Sequence, residues 1–568
     1  MKSTDKKGVQ LLVSQCVSHG MRNVVISPGS RNAPFSIAFD EHPEVNCFVI
    51  HDERSAAFFA LGMSQQLGAP VGVVCTSGSA PLNYYPAIAE AYYQCVPLIV
   101  ITADRPKYWI DQGDGQTIRQ EKVYEKHIKY SCSFSDEVNG NEAQWYIERE
   151  TAIAFNEGNG KWKGPIHFNV GISEPLYEKT ELHAFQKREI LMVSGTFEFT
   201  SNDASFVSKQ LENKKILVLC GQLNKDEGLN KELELFAENT SVLVITENTS
   251  NLTGSRFIHC IDRFLNALDE EGRYEFRPDL LITIGNAIVS KRIKSYLRKY
   301  KPNYHWKIGH EFPYMDTFQC LSHSFQTDPK SFFKAINRIV YKRSQSNYTG
   351  YWNAIDFKIK DALGSVLNNL AYSDISVFNE IVQFLPEHAE VHMANSSVVR
   401  YMQLFDPVNS ISYWCNRGTS GIDGSSSTAV GASVADPNKL HVLISGDISF
   451  FYDSNAFFNK YLYRNLRIIL INNAGGGIFR IIPGPTSTKQ LENYFEATHQ
   501  VNAKGICDTA NIHYEQVSNL TQLNLSLRNF FDFDQDGPKL LEIFTPKEVN
   551  ALMLNDFFDQ LNTVVVKQ

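Results

Sequence analysis

Several patterns that would announce a function are missing from this chain. None of its ten cysteines forms a C-x-x-C pair, which argues against a zinc ribbon, a thioredoxin-type redox motif or a dense disulfide scaffold. Cysteines scattered in this way are expected to be mostly buried apolar side chains. No uninterrupted apolar run reaches the ~20 residues needed to cross a bilayer. The opening MKSTDKKGVQ lacks the basic-then-apolar order of a secretory leader, so a cytoplasmic protein without a membrane span is expected. Lysine and arginine total 54 against 62 acidic residues, the net charge is -8, and no long basic block appears, so nucleic acid is not an expected partner. G-x-G-x-x-G, Walker A, H-E-x-x-H and G-x-S-x-G motifs are all absent, which weakens dinucleotide, nucleotide-hydrolysis and serine-hydrolase readings.

What is present describes a folded globular chain, with hydrophobic residues at 43% and charged residues at 20%. A length of 568 residues has room for three or four domains. From 24 to 103, apolar strands at 24–27, 47–51, 71–75 and 98–103 alternate with helical patterns at 55–68 and 83–95, which predicts a parallel sheet. Asp52 is placed to cap the first helix and Gly68 to stop it. A second α/β segment starts near Lys214, with its clearest strands at 214–221, 241–247 and 278–286, after a polar linker at 178–213. A third follows the polar stretch 342–347 and runs to a strand at 539–544. The chain is therefore read as three α/β domains at 1–180, 190–345 and 355–568, and the similar rhythm of the first and third suggests a duplicated pair.

The strongest chemical signal is Gly446-Asp447 followed by Asn472-Asn473-Ala474-Gly475. Each half follows an apolar run of buried-strand length, 440–445 and 466–471, and in open parallel sheets ligands collect at the carboxyl ends of strands. An Asp447 carboxylate, an Asn473 amide oxygen and a Gly475 carbonyl are three hard oxygens. Mg²⁺ takes about six, which leaves places for two diphosphate oxygens and a water. The competing reading is two ordinary strand-to-helix turns, where Asp, Asn and Gly are common.

Other polar clusters sit at strand ends. In Ser27-Pro28-Gly29-Ser30-Arg31-Asn32, a glycine-containing loop feeds a helix and Arg31 could clamp a carboxylate; a capped turn with a surface arginine is the alternative. Glu53, at a strand-to-helix junction, reads as a dipole partner unless a nitrogen base sits opposite it. Arg105 ends a strand, and Gln116 lies in the polar loop 113–120. Ser396 and Arg400 in NSSVVR, and Arg417 and Ile422 in NRGTSGIDG, place arginines beside small residues. Lys291-Arg292 adds a basic pair that equally fits an exposed helix face.

Taken together, SPGSRNAP, DERSAAFFALG, TSGSAPLNYYPAIAEA, TADRP, DGQTIRQ, SKRI, NSSVVR, NRGTSGIDG, GDISFFYD and NNAGGGIF resemble the 2-succinyl-5-enolpyruvyl-6-hydroxy-3-cyclohexene-1-carboxylate synthases of menaquinone biosynthesis, a branch of the thiamine-diphosphate superfamily. GD…NN marks only the superfamily; SRNAP, IRQ, NSSVVR and NRGTSGIDG in this order are far more specific. The resemblance implies three doubly wound parallel-sheet domains: pyrimidine-binding, central and diphosphate-binding. It implies a homodimer, often paired into a tetramer, with active sites shared between subunits. The implied reaction decarboxylates 2-oxoglutarate and adds the succinyl-semialdehyde unit to isochorismate, with thiamine diphosphate and Mg²⁺, or Mn²⁺ in its place, as cofactors.

Residue by residue, Glu53 matches the acid that contacts N1′ of the cofactor pyrimidine. Asp447, Asn473 and the Gly475 carbonyl match the metal ligands, and Ile422 the apolar wedge that bends the cofactor. Arg400, Arg417 and Ser396 match groups that hold the unit derived from 2-oxoglutarate. Ser30, Arg31, Arg105, Gln116, Lys291 and Arg292 match the isochorismate side, with Gln116 also a candidate for guiding a proton. Two positions depart from the family pattern. Gly115 stands where members often carry Asn, which removes a substrate-side hydrogen-bonding group, and Ala474 replaces a frequent Asn while its neighbours keep the metal ligands. An acetolactate-synthase-like carboligase or a simple 2-oxoacid decarboxylase would share Glu53 and the metal motif without needing so many strand-end arginines. A non-catalytic regulatory subunit would not need intact Glu53, Asp447 and Asn473.

Overall fold

Apolar runs without alternation have no face for water, and most of them here become fully buried strands. The computed structural model describes residues 2–185, 188–193, 195–342, 346–532 and 537–566. Of the polar stretch expected to divide the second and third segments, Arg343, Ser344 and Gln345 lie outside the described residues.

Strands β1 (Asn23–Ile26), β2 (Asn46–Val49), β3 (Val71–Cys75), β4 (Leu98–Asp104), β5 (Tyr130–Ser135) and β6 (Ile166–Gly171) form a parallel sheet in the order β2-β1-β3-β4-β6-β5. A central sheet holds β7 (Ile216–Cys220), β8 (Val242–Ile245), β9 (Phe257–Ile258), β10 (Leu280–Ile284), β11 (Tyr304–Ile308) and β12 (Leu321–Phe325), ordered β9-β8-β7-β10-β11-β12. The third holds β13 (Glu390–Met393), β14 (Ser412–Cys415), β15 (His441–Gly446), β16 (Leu466–Asn472), β17 (His513–Val517) and β18 (Lys539–Phe544), ordered β14-β13-β15-β16-β18-β17. The chain is thus α/β with three doubly wound parallel sheets, and the first and third share one strand order. Their similar sequence rhythm has this structural counterpart.

Topology also pairs two helices. Glu53–Leu67 follows the second strand of the first sheet, and Ser425–Ala435 follows the second strand of the third. They pack directly on one another, and the apolar residues between them join the first and third domains in one core that includes Phe58, Phe59, Ala429 and Val430.

Three local expectations need correction. The helix expected at 55–68 begins at Glu53, because Asp52 accepts the Ser55 N–H at 3.1 Å and starts the helix two residues earlier; Gly68 ends it with φ 62°. The helix expected at 83–95 spans Ala80–Gln94. The stretch 178–213 is not all linker, since Lys179–Glu181 pairs antiparallel with Lys2–Thr4 and Thr200 caps a helix at Ser201–Leu211 through a reciprocal bond with Asp203. Most of the cysteines are buried, and all ten are free.

Candidate active site

The turns after β15 and β16 are tied together. Asp447 opens the helix Asp447–Tyr452; its Oδ1 accepts from the Ile448 N–H at 2.7 Å and its Oδ2 from the Gly475 N–H at 2.9 Å. Asn473 Nδ2 donates to Asp374 Oδ2 at 3.1 Å, while Asn473 Oδ1 is buried without a partner. Burial pushes the Asp374 carboxyl up to about 6, although Thr545 and Asn473 both donate to it. Gly475 has φ 152°, and a Cβ there would stand 2.8 Å from the Glu496 carbonyl oxygen, so only glycine fits this approach. The segment passing over it also brings His499 Nε2 to 3.2 Å from Asp447 Oδ2. The neighbouring carboxylate raises the imidazole pKa.

These turns line a cavity of about 360 Å³ together with Asn395, Ser396 and Ile422. Asp447 brings a carboxylate, Asn473 an unmatched buried amide oxygen and Gly475 a backbone carbonyl. Oxygen donors of this kind suit a hard divalent cation, and an acceptor left without a donor inside a protein is costly unless something is meant to meet it.

Beside this cavity stand two arginines, of which Arg417 is held by Asn395. Its Nδ2 donates to the carbonyls of Asn416 at 2.6 Å and Gly421 at 2.8 Å, and its Oδ1 accepts from Arg417 Nη1 at 2.8 Å. Arg400 Nη1 donates to the Ser396 carbonyl. Burial, and then the charge of Arg417, lower the Arg400 pKa. Arg417 Nε is itself buried without a partner. Two close cations with unused donor capacity form a seat for an anion.

The central domain approaches from behind. Glu247, pushed up to about 7 by burial, accepts the Val289 and Ser290 N–H groups at 2.7 Å each and feels the charge of Arg417. Lys291 and Arg292 open the helix Lys291–Lys299 and are exposed; Arg292 donates to Asn266 Oδ1 at 3.0 Å and stacks 4.8 Å over the Phe558 ring. Neither lines the cavity.

In the first domain, Arg31 is buried and donates to the Ile172 carbonyl and to Glu174 Oε1, each at 3.0 Å. Arg105 reaches the same carboxylate at 3.7 Å, Asp114 at 3.2 Å and the Gly115 carbonyl at 3.0 Å. Gln116, with φ 54°, lies against Gly78, where an added Cβ would stand 3.1 Å from its Cα. Ser30 is exposed next to Arg31. Glu53 is half-buried at its helix start; desolvation, reinforced by the charge of Asp52, raises its pKa, and its own charge acts on Cys75 and Tyr84.

Within one chain, therefore, Ser396, Ile422, Asp447, Asn473 and Gly475 share a cavity with Arg400 and Arg417 beside it. Ser30, Arg31, Arg105 and Gln116 gather at the carboxyl end of the first sheet. Among the described residues, none of the first sheet's domain lines the cavity. Sequence reasoning missed Asp374, which sits second in Ser373-Asp374 at the start of a helix and looks like an ordinary cap there. It also missed the 496–499 segment, which carries no recognisable motif.

Residues 6–123 match the family model described as thiamine pyrophosphate enzyme, N-terminal TPP binding domain; 198–393 match the middle domain of thiamine pyrophosphate; and 394–543 match the C-terminal TPP binding domain. The 2-succinyl-5-enolpyruvyl-6-hydroxy-3-cyclohexene-1-carboxylate synthase of Flavobacterium johnsoniae is 43% identical, over 97% of this chain and 98% of its own length. The synthase of the same name from Christiangramia forsetii is 44% identical over 96% and 97%, and that from Porphyromonas gingivalis 37% over 98% of each. With three matching domains and likeness along nearly its whole length, the chain belongs to the 2-succinyl-5-enolpyruvyl-6-hydroxy-3-cyclohexene-1-carboxylate synthase family of thiamine-diphosphate-dependent enzymes.

Proposed function

We propose that this enzyme decarboxylates 2-oxoglutarate and adds the succinyl-semialdehyde unit to isochorismate, releasing CO₂, as a cytoplasmic step of menaquinone biosynthesis. The observation that carries this reading is the Arg400 and Arg417 pair beside the third-domain cavity, which suits a substrate keeping a free carboxylate after its oxoacid carboxylate has left.

Asp447, Asn473 and the Gly475 carbonyl would hold Mg²⁺, or Mn²⁺, and through it the cofactor diphosphate; the buried, unmatched Asn473 Oδ1 supports that assignment. Thiamine diphosphate, when bound, supplies a nucleophilic thiazolium carbon and an electron sink. Ile422 would support the bent cofactor. Glu53 would share a proton at the pyrimidine N1′, a role its raised pKa favours. Arg400, Arg417 and Ser396 would orient the 2-oxoglutarate carboxylate. Ser30, Arg31, Arg105, Gln116, Lys291 and Arg292 would hold isochorismate. Because none of the described residues of the first domain lines the cavity, Glu53 and its neighbours would come from a second copy in a homodimer, alone or within a tetramer.

The test incubates the protein with 2-oxoglutarate, isochorismate, thiamine diphosphate and Mg²⁺ and follows isochorismate loss and product mass. Isochorismate consumption coupled to CO₂ release is expected. Decarboxylation that leaves isochorismate untouched would instead make the protein a 2-oxoacid decarboxylase.

A further inference from the structure

The loop that carries Arg417 is held by a carboxylate from another domain. Glu90 lies on the first-domain helix Ala80–Gln94 and is 1% exposed. Its Oε1 accepts the Gly418 N–H at 2.7 Å and a bond from Gln94 Nε2; its Oε2 accepts both the Thr419 N–H and the Thr419 hydroxyl at 2.6 Å. Four donors converge on one buried carboxylate, and two of them are the backbone of the residues just after Arg417. Contact is close enough that a Cβ on Gly418 would stand 2.7 Å from the Glu90 carbonyl oxygen. On the other side of the loop, Asn416 Nδ2 donates to Thr428 Oγ1 at 2.9 Å and Arg417 Nη1 to Asn395 Oδ1 at 2.8 Å. The loop around Arg417 is thus held from both sides, and the backbone N–H groups of Gly418 and Thr419 that it offers to the first domain both bond Glu90.

An acceptor-only group is the part this site requires. Each oxygen of the Glu90 carboxylate accepts a backbone N–H, so an amide in its place would set an NH₂ against at least one N–H. Buried donors that lose their acceptor drive the loop to rearrange, and a guanidinium that must meet a carboxylate in a fixed fork tolerates little displacement.

We propose that Glu90 is a positioning residue that presets the Arg417 loop for the carboxylate of 2-oxoglutarate, so that the first domain governs oxoacid recognition at the third-domain site of its own chain. This rests on the reading of Arg417 given above.

The test uses the holoenzyme with thiamine diphosphate and Mg²⁺, in E90Q, E90D, R417M and E90Q/R417M forms, measuring KM for each substrate, kcat and the melting temperature. E90Q is expected to raise the KM for 2-oxoglutarate about tenfold or more while leaving that for isochorismate near its original value, with E90D intermediate. In the R417M background, E90Q should add little, because both changes act on one contact. An unchanged KM for 2-oxoglutarate in E90Q and E90D, or additive effects of E90Q and R417M, would overturn the proposal while the reading of Arg417 stands. A normal KM in R417M would overturn both.

Discussion

Asn473 Nδ2 donates to Asp374 Oδ2 across 3.1 Å, and this bond decides which end of the Asn473 amide faces the cavity. An ionised carboxylate only accepts, so the amide must offer it the NH₂ and leave Oδ1 for the cavity side. In Asp374→Asn that discrimination disappears, because an amide can pair with either end. The expected result is a loss of about 10- to 100-fold in Mg²⁺ or Mn²⁺ affinity, read by calorimetric titration in the presence of thiamine diphosphate. Equal affinities would show that something else fixes the amide.

Glu53→Gln separates chemistry from stability. Loss of the shared proton should lower turnover about 10²- to 10⁴-fold while thiamine diphosphate still binds. The carboxyl pKa is raised in the folded protein, chiefly by desolvation, so the ionised form is disfavoured there. Stability contributed by the protonated group is complete below the unfolded carboxylate pKa and is lost as pH rises through the higher folded value. Removing the group should therefore make the cofactor-free variant more stable than the parent at neutral pH, with the difference closing as pH falls through the carboxylate range. Melting curves at several pH values measure this, and a variant less stable than its parent at pH 7 would contradict the sign.

How much of this was readable beforehand depended on where each interaction closes. β16 is buried at every residue, and its Ile468-Ile469-Leu470-Ile471 run announced it; β17, at the sheet edge with the sequence His-Tyr-Glu-Gln-Val, gave no comparable signal because its side chains face different surroundings. Asp447, Asn473 and Gly475 were legible because each turn carries its oxygen groups within a few residues of a strand end. Asp374 was not, since its partner lies 99 residues away. Glu90 sits inside PAIAEA as one polar residue on a helix, and only folding shows that the Arg417 loop lies against it.

Gly62 and Gly431 permit the two topologically equivalent helices to touch. A Cβ on Gly62 would stand 1.9 Å from the Thr428 carbonyl oxygen, and one on Gly431 2.0 Å from that of Phe59. By intrinsic helix propensity alone, Gly62→Ala should stabilise by about 1 kcal/mol. Backbone, however, cannot rotate away as a side chain can, so overpacking of about 1–3 kcal/mol or more should prevail and the net change should be destabilising. The strain should also shift Glu53, at the start of the same helix, and lower activity at temperatures where the variant is still folded. A denaturation midpoint equal to or above the parent's would show that the helices separate at little cost.

Arg263 anchors the end of the segment that carries Arg400. It is fully buried in the central domain, donates to the Leu404 carbonyl at 3.0 Å and to Asp406 Oδ2 at 2.7 Å, and Lys360 Nζ approaches Asp406 Oδ1 at 3.0 Å. Burial alone would raise the Asp406 pKa, but the charges of Arg263 and Lys360 more than offset it and hold the carboxyl below its usual range. Such a group contributes stability above its unfolded pKa and loses it as pH falls through the depressed folded value. Arg263→Met fills similar space but leaves Asp406 and the buried Asp356 to share Lys360. Removing one partner of a buried pair costs about 3–5 kcal/mol, and the lower part of that range applies here because Asp406 keeps a second cation and some contact with water. Urea unfolding at pH 7 should register this loss, and the gap should narrow in acid as Asp406 protonates in both proteins. Because Leu404 and Asp406 directly follow the helix Ser397–Met402, the same variant should raise the KM for 2-oxoglutarate more than that for isochorismate. A variant with parental stability across the whole pH range would remove Arg263 from the account of how the central domain braces the arginine pair.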